Sequence, residues 1–155
     1  MAFRLTSSAF DHNAAIPRRY TCDGEDLSPA FQWDDPPPGT RGFALLCDDP
    51  DAPSGTFRHW AVFDIPPDRR RLAEALRPAT TPVEGMRQAV NDFGRVGYGG
   101  PCPPRGHGTH HYHFRLLALD VERLSVDPRP TCGAVAEAAR GHTLGTAELV
   151  GLFQR

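Results

Sequence analysis

Hydrophobic and polar positions alternate along much of the chain, in short segments separated by proline, glycine and aspartate. Residues 3–10 alternate weakly and predict a first strand. Leu27, Phe31 and Trp33 fall at alternating positions of the next segment, and Pro29, which has no N–H for a ladder, predicts that 27–33 lies at a sheet edge. Residues 43–47 form an unbroken apolar run, the pattern of a strand covered on both faces. A strand over 59–65 follows, stopped by Pro66 and Pro67. The pattern is clearest from 110 to 119, where His110, Tyr112, Phe114, Leu116 and Ala118 share one face and His111, His113 and Arg115 start the other.

Helical signals are few. Leu72, Ala73, Glu74 and Leu76 predict one or two helical turns within 68–77, broken over 77–82 by Pro78 and Pro82. Residues 86–90 read as a strand leading into the turn 91–94. Thr131 is placed to cap a helix over 132–140, with Gly141 as its stop signal. The tail 146–153 fits helix or strand, and glycines 145 and 151 favour a final strand. With 15 glycines and 16 prolines the chain favours turns and short strands over long helices, a mainly β protein.

Composition narrows the classes of function. The length of 155 residues suits one domain spanning 1–155. Net charge is −2, lysine is absent and the arginines are scattered among acidic residues, so neither nucleic acid nor an anionic membrane surface is expected as partner. No apolar run reaches 18 residues. The N-terminal pattern of a signal peptide is also missing, and a cytoplasmic location without integral membrane association is the default expectation. Cysteines 22, 47, 102 and 132 form no CxxC pair, against a zinc ribbon. Cys22 and Cys102 fall in loops, where spacing does not decide whether they join, and a reducing compartment disfavours a disulfide.

The candidate chemistry gathers around residues 98–114. Pro101, Pro103 and Pro104 stiffen a loop in which Gly99, Gly100, Gly106 and Gly108 allow backbone N–H groups to face a ligand. The loop runs into the strand whose apolar face begins with His110 and Tyr112. By the same phase count Asp49 continues the row Phe43, Leu45 and Cys47, and His59 begins the row Ala61, Phe63 and Ile65. If these two strands pair as a hairpin, Asp49 and His59 meet at one end of the sheet. His110 and Tyr112 join them if their strand runs in the same direction as 59–65. Imidazoles, a phenol and loop N–H groups are mostly donors, so the guest expected is a small oxyanion such as phosphate, sulfate or acetate, or the phosphate of a lipid head group. Asp49, His59 and His110 are also the ligand types of a two-histidine, one-carboxylate metal site, the competing reading of a metal-dependent hydrolase. A Cys102/His107 nucleophile pair is weaker, because no group is placed to orient it. His111 and His113 fall on the opposite face, where solvation is expected.

Asp49-Pro-Asp-Ala-Pro53, the strand-opening His59 and the run Gly-x-x-Pro-Pro-x-Gly…His-x-Tyr over 100–112 together resemble the phosphatidylethanolamine-binding protein family, in its bacterial and archaeal Raf-kinase-inhibitor-like branch. The segments 16–24, Ser28-Pro29, 91–94 and 141–150 extend the resemblance over nearly the whole chain. His111 stands where the family often has arginine, and Pro101-Cys102 replaces smaller loop residues. The resemblance implies an antiparallel β-sandwich with Greek-key connections and one or two short peripheral helices. It also implies a non-enzymatic pocket without a cofactor or metal, lined by Asp49, His59, Gly100, Pro103, Pro104, His110 and Tyr112. Such a pocket takes a small anion or phosphorylated ligand. The resemblance further allows a protein partner such as a kinase or protease, an inhibitor module in which the pocket is vestigial, and a homodimer.

Overall fold

A computed structural model describes residues 2–79 and 82–155, and in it the apolar run 43–47 lies inside a six-stranded sheet. In chain order the strands are β1 (Arg4–Thr6), β2 (Ala14–Ala15), β3 (Phe31–Asp34), β4 (Gly42–Asp49), β5 (Phe57–Ile65), β6 (Arg71–Leu72), β7 (Arg87–Gln88), β8 (His110–Leu119) and β9 (Thr143–Phe153). Helix α1 (Cys132–Arg140) connects β8 to β9, and a single 3₁₀ turn covers Arg18–Tyr20. The large sheet runs β2-β9-β8-β4-β5-β7 and the small one β1-β3-β6. Strands β4, β5 and β7 are successive antiparallel neighbours, and β8 returns to lie beside β4. That order is a Greek key.

The double cover foreseen for 43–47 has two sources. Phe43, Leu45 and Cys47 face the small sheet, where Leu5, Phe31, Trp33 and Leu72 close the main core. Ala44 and Leu46 face the other way, onto Val135 and Ala139 of α1. Each large side chain so buried contributes roughly 1.5–3 kcal/mol, which makes β4 the least dispensable strand. The helix begins where its cap residue predicts: the Thr131 hydroxyl accepts from the Ala134 N–H at 3.1 Å.

Three expectations fail for identifiable reasons. Residues 68–77 form no helix; Leu72 enters the core from the short strand β6, and Ala75 takes a positive φ of 59° that no helix permits. Thr80 and Thr81, in the break at 77–82, lie outside the described residues. Strand β3 is not at an edge, because β1 pairs with one side and β6 with the other, while Pro29 ends up ahead of the strand. In β5 the phase count breaks down: Ala61 and Phe63 pack under α1 while Trp60, Val62 and Ile65 face the main core. The cause is a register shift at each end of its pairing with β4, between Cys47/Asp48 and between Phe43/Leu45. A bulge turns every residue beyond it to the opposite face.

Candidate ligand-binding site

The first of those bulges builds the site. Asp48 pairs with Arg58 and Cys47 with Trp60, so His59 is the extra residue, opposite no partner on β4. Arg58 then points away with Asp48, while His59 turns inward beside Asp49 and Tyr112. Strands β5 and β8 are each antiparallel to β4 and therefore run in the same direction, which brings the start of β8 to the same end of the sheet. Asp49, His59, Pro103, Pro104 and Tyr112 line one cavity of about 200 Å³, joined by Ala52, Pro53, Phe57, Phe93 and Cys102. That volume suits a small head group and falls below the usual range for drug-sized ligands.

Neighbouring groups hold Asp49 and His59 in place. Asp49 Oδ1 accepts from the Asp51 N–H at 2.8 Å, the local turn favoured by Asp-Pro-Asp. Its Oδ2 accepts from His110 Nδ1 at 2.6 Å, with both side chains almost fully buried. His110 Nε2 in turn meets His107 Nδ1 at 2.6 Å. His110 thus stands behind Asp49 with both nitrogens engaged and does not line the cavity. His59 Nδ1 donates to the Gly99 carbonyl at 2.7 Å, which leaves Nε2 as its free nitrogen. Burial lowers the His59 pKa, against the Gly99 carbonyl and the Asp49 charge, which favour its protonated form. The Tyr112 hydroxyl is buried with no hydrogen-bond partner in the protein, and burial and the Asp49 charge keep it firmly un-ionised.

The lip is tied down from several sides. Cys22 and Cys102 form a disulfide, a link that spacing alone left open. The Cys22 N–H donates to the Pro101 carbonyl at 3.1 Å, and the Tyr98 hydroxyl to the Tyr20 carbonyl at 2.7 Å. Arg155 Nε donates to the Pro103 carbonyl at 2.8 Å. The loop N–H groups expected to face a ligand are in part already used: Gly100 donates to Asp26 Oδ1 at 2.9 Å, Gly99 to the His59 carbonyl and Gly106 to the Arg155 carbonyl. Gly100 is therefore a packing position outside the cavity. A Cβ there would come within 2.3 Å of the Tyr20 carbonyl oxygen.

A family model described as phosphatidylethanolamine-binding protein matches residues 6–154. The chain belongs to the phosphatidylethanolamine-binding protein family. One relative, a UPF0098 protein of Aquifex aeolicus, is 50% identical over 149 residues, covering 96% of this chain and 86% of that protein. A Mycobacterium tuberculosis protein named putative lipoprotein LppC is 39% identical over 150 residues, covering 97% of this chain and 71% of its own. Escherichia coli YbcL, whose crystal structure is described as a new member of the mammalian family, matches with a TM-score of 0.93 at 31% identity, covering 100% of this chain and 99% of that one. The β-sandwich of the phosphatidylethanolamine-binding proteins is thus the fold expected from the motifs.

Within this phosphatidylethanolamine-binding protein fold, sequence reasoning missed the aromatic wall. Phe57 and Phe93 meet edge to face at 4.7 Å, and each packs against the His59 ring. Phe93 is placed by Asn91, whose Oδ1 accepts from the Phe93 N–H at 3.0 Å and whose Nδ2 donates to the Gly97 carbonyl at 2.8 Å. The signal was present in the turn 91–94, a motif of the resemblance to which no role had been attached. Among the described residues no group of three or more histidines, cysteines or acidic residues is arranged to hold a metal ion. His111 pairs with Asp51, and His113 with Glu148 on the far face. No helix among the described residues is long and apolar enough to cross a membrane.

Proposed function

We propose that this protein binds a small anionic or phosphate-bearing ligand, of the kind found in phospholipid head groups, in the cavity between Asp49, His59 and Tyr112, and that it does so without catalysis. The observation that carries this reading is Tyr112, a residue of the cavity lining whose buried hydroxyl has no partner in the protein. A buried hydroxyl left unpaired costs about 1–3 kcal/mol, and a ligand oxygen removes that cost. Family membership supports the same reading. Against a nucleophilic mechanism, the cysteine that lines the cavity, Cys102, is committed to its disulfide. Titrating phosphate or phosphorylethanolamine into the wild-type protein should give a saturable signal that His59→Ala greatly weakens; no signal with either compound would refute the reading.

A second reading, regulation of a protein partner such as a kinase or protease, rests on Phe93, which is 41% exposed at the cavity wall. Capture of a partner that is lost when loops 49–58 and 98–109 are altered, yet survives His110→Ala, would favour it. For location, the disulfide weighs against the cytoplasmic expectation, since reducing compartments keep most such pairs as thiols.

A further inference from the structure

The opposite face of the large sheet carries a second concavity. The bulge that turns His59 inward turns Arg58 outward, beside Asp48 and away from the first cavity. Helix α1 packs on Ala44, Leu46, Ala61 and Phe63, and nearer the loop end of the sheet a cleft of about 290 Å³ lies on the same face. Asp48, Arg58, His113, Arg115 and Glu148 line it, with Pro50 and Thr56 from the β4–β5 loop. Arg58 is fixed through its backbone: its N–H donates to Asp92 Oδ2 at 2.8 Å, and its carbonyl accepts from the Asp92 N–H at 2.9 Å.

Charges of opposite sign alternate here across four strands: Arg58 on β5, Asp48 on β4, Arg115 on β8 and Glu148 on β9. In a plain solvent-facing ladder the direct cross-strand neighbours pair, and Arg115 stands directly opposite Glu148. They do not pair. Arg115 Nη2 reaches diagonally to Asp48 Oδ2 at 2.6 Å, and Glu148 meets His113, also on the diagonal, at 3.2 Å. Arg58 Nη1 meets the same Asp48 oxygen at 3.4 Å. Asp48 is nearly buried, and one of its oxygens serves two guanidiniums, engaging a single N–H of each. The remaining N–H groups of both arginines, on side chains 32% and 37% exposed, have no partner among the described residues.

We propose that this cleft binds a free α-amino acid, whose carboxylate spans Arg58 and Arg115 while its ammonium group faces Glu148. Planar guanidinium forks suit a carboxylate, and a carboxylate that Arg115 leaves unpaired across the ladder suits an ammonium. Two guanidiniums and two carboxylates line the cleft, which matches a ligand bearing both signs of charge. A phosphate dianion would gain the arginines but meet Asp48 and Glu148, and a simple cation would meet the arginines. The volume restricts the ligand to small amino acids such as glycine, alanine or serine. This site is separate from the first cavity and does not rest on the function proposed for it.

Titration of alanine into isotope-labelled wild-type protein at neutral pH, followed by NMR, tests the assignment. The side-chain Nε–H signals of Arg58 and Arg115 should shift saturably. Acetate and methylamine, which each carry one of the two charges, should bind about tenfold more weakly or less, the loss of one charged hydrogen bond. Arg115→Gln should weaken alanine by about the same factor, and Glu148→Gln should bring alanine and acetate within about threefold of each other. Acetate or phosphate holding the cleft of the wild type as tightly as alanine would overturn the amino-acid assignment. No saturable shift at Arg58 and Arg115 with alanine would overturn the site itself. Shifts at His59 and Phe93 in their place would put the amino acid in the first cavity, and the proposal would fall. Arg115→Gln strips a nearly buried carboxylate of one partner; should that variant not fold, the wild-type comparison of alanine, acetate, methylamine and phosphate decides among the same outcomes.

Discussion

Replacing Tyr112 by phenylalanine removes one oxygen from the cavity and little else, because the ring is packed between β8 neighbours and the His59 ring at 5.2 Å. In the free protein that oxygen is buried and unpaired. The expected change is therefore a gain in stability of about 1–2 kcal/mol, the lower part of the range for an unsatisfied buried hydroxyl. For a chain of this length each kcal/mol moves Tm by roughly 2–4 °C. Ligand affinity should move the opposite way: a hydrogen bond to a charged group is worth about 1.5–3 kcal/mol, or roughly ten- to a hundredfold in Kd. Urea unfolding without ligand gives the first quantity, provided the slope of free energy with denaturant is the same for both proteins. Phosphate titration gives the second. A variant less stable than wild type with an unchanged slope, or one that binds phosphate undiminished, would show that the hydroxyl is not reserved for a ligand.

The other predictions concern the groups around it. Burial sets the His59 pKa below the value of about 6.5 for an unfolded chain. As pH falls the unfolded chain is protonated first, so the stability owed to neutral His59 is present above pH 6.5 and is lost as pH drops towards the folded value. His59→Gln should flatten that part of the stability curve, and an unchanged slope between pH 7 and 5 would contradict it. The Cys22–Cys102 bond closes a sequence separation of 80 residues, so reduction should cost about 2–5 kcal/mol, read as a lower urea midpoint with reductant. Gly100→Ala brings a methyl to within 2.3 Å of the Tyr20 carbonyl oxygen and 2.4 Å of Asp26 Oδ1. It should destabilise by about 1–3 kcal/mol, and wild-type stability would show that the loop gives way freely. Thr131→Ala removes the cap of α1 and should cost about 1 kcal/mol in the same assay.

What could be read from sequence depended on whether a residue obeys a regular period. Strands β4 and β8 do, and the inward rows ending in Asp49 and starting at His110 and Tyr112 lie where alternation puts them. The capped helix was equally legible, because Thr131 and Gly141 act within a few residues of themselves. Strand β5 was not. His59 was expected in phase with Ala61 and Phe63, which face α1, and it reaches the cavity only because a bulge restores the direction the count had misjudged. The disulfide and the strand at Arg71–Leu72 rest on partners far along the chain, Cys22 for Cys102 and Phe31 for Leu72, and no local pattern announces those. The engaged His107–His110–Asp49 chain is likewise a tertiary fact, and it moved His110 from the cavity wall to its support.

The bulge in β5 also separates the binding residue from the scaffold in an unusual way. On either side of His59 the ladder is already in step, Asp48 with Arg58 and Cys47 with Trp60. Deleting that one codon would close the strand into a regular pairing, whereas a deletion elsewhere in a buried strand would turn a row of core side chains to the wrong side. Gain or loss of the cavity's imidazole is thus open to evolution as a single-residue insertion or deletion, a change of length that strands ordinarily reject. Relatives with a shortened β5 would keep the sandwich and lack the site.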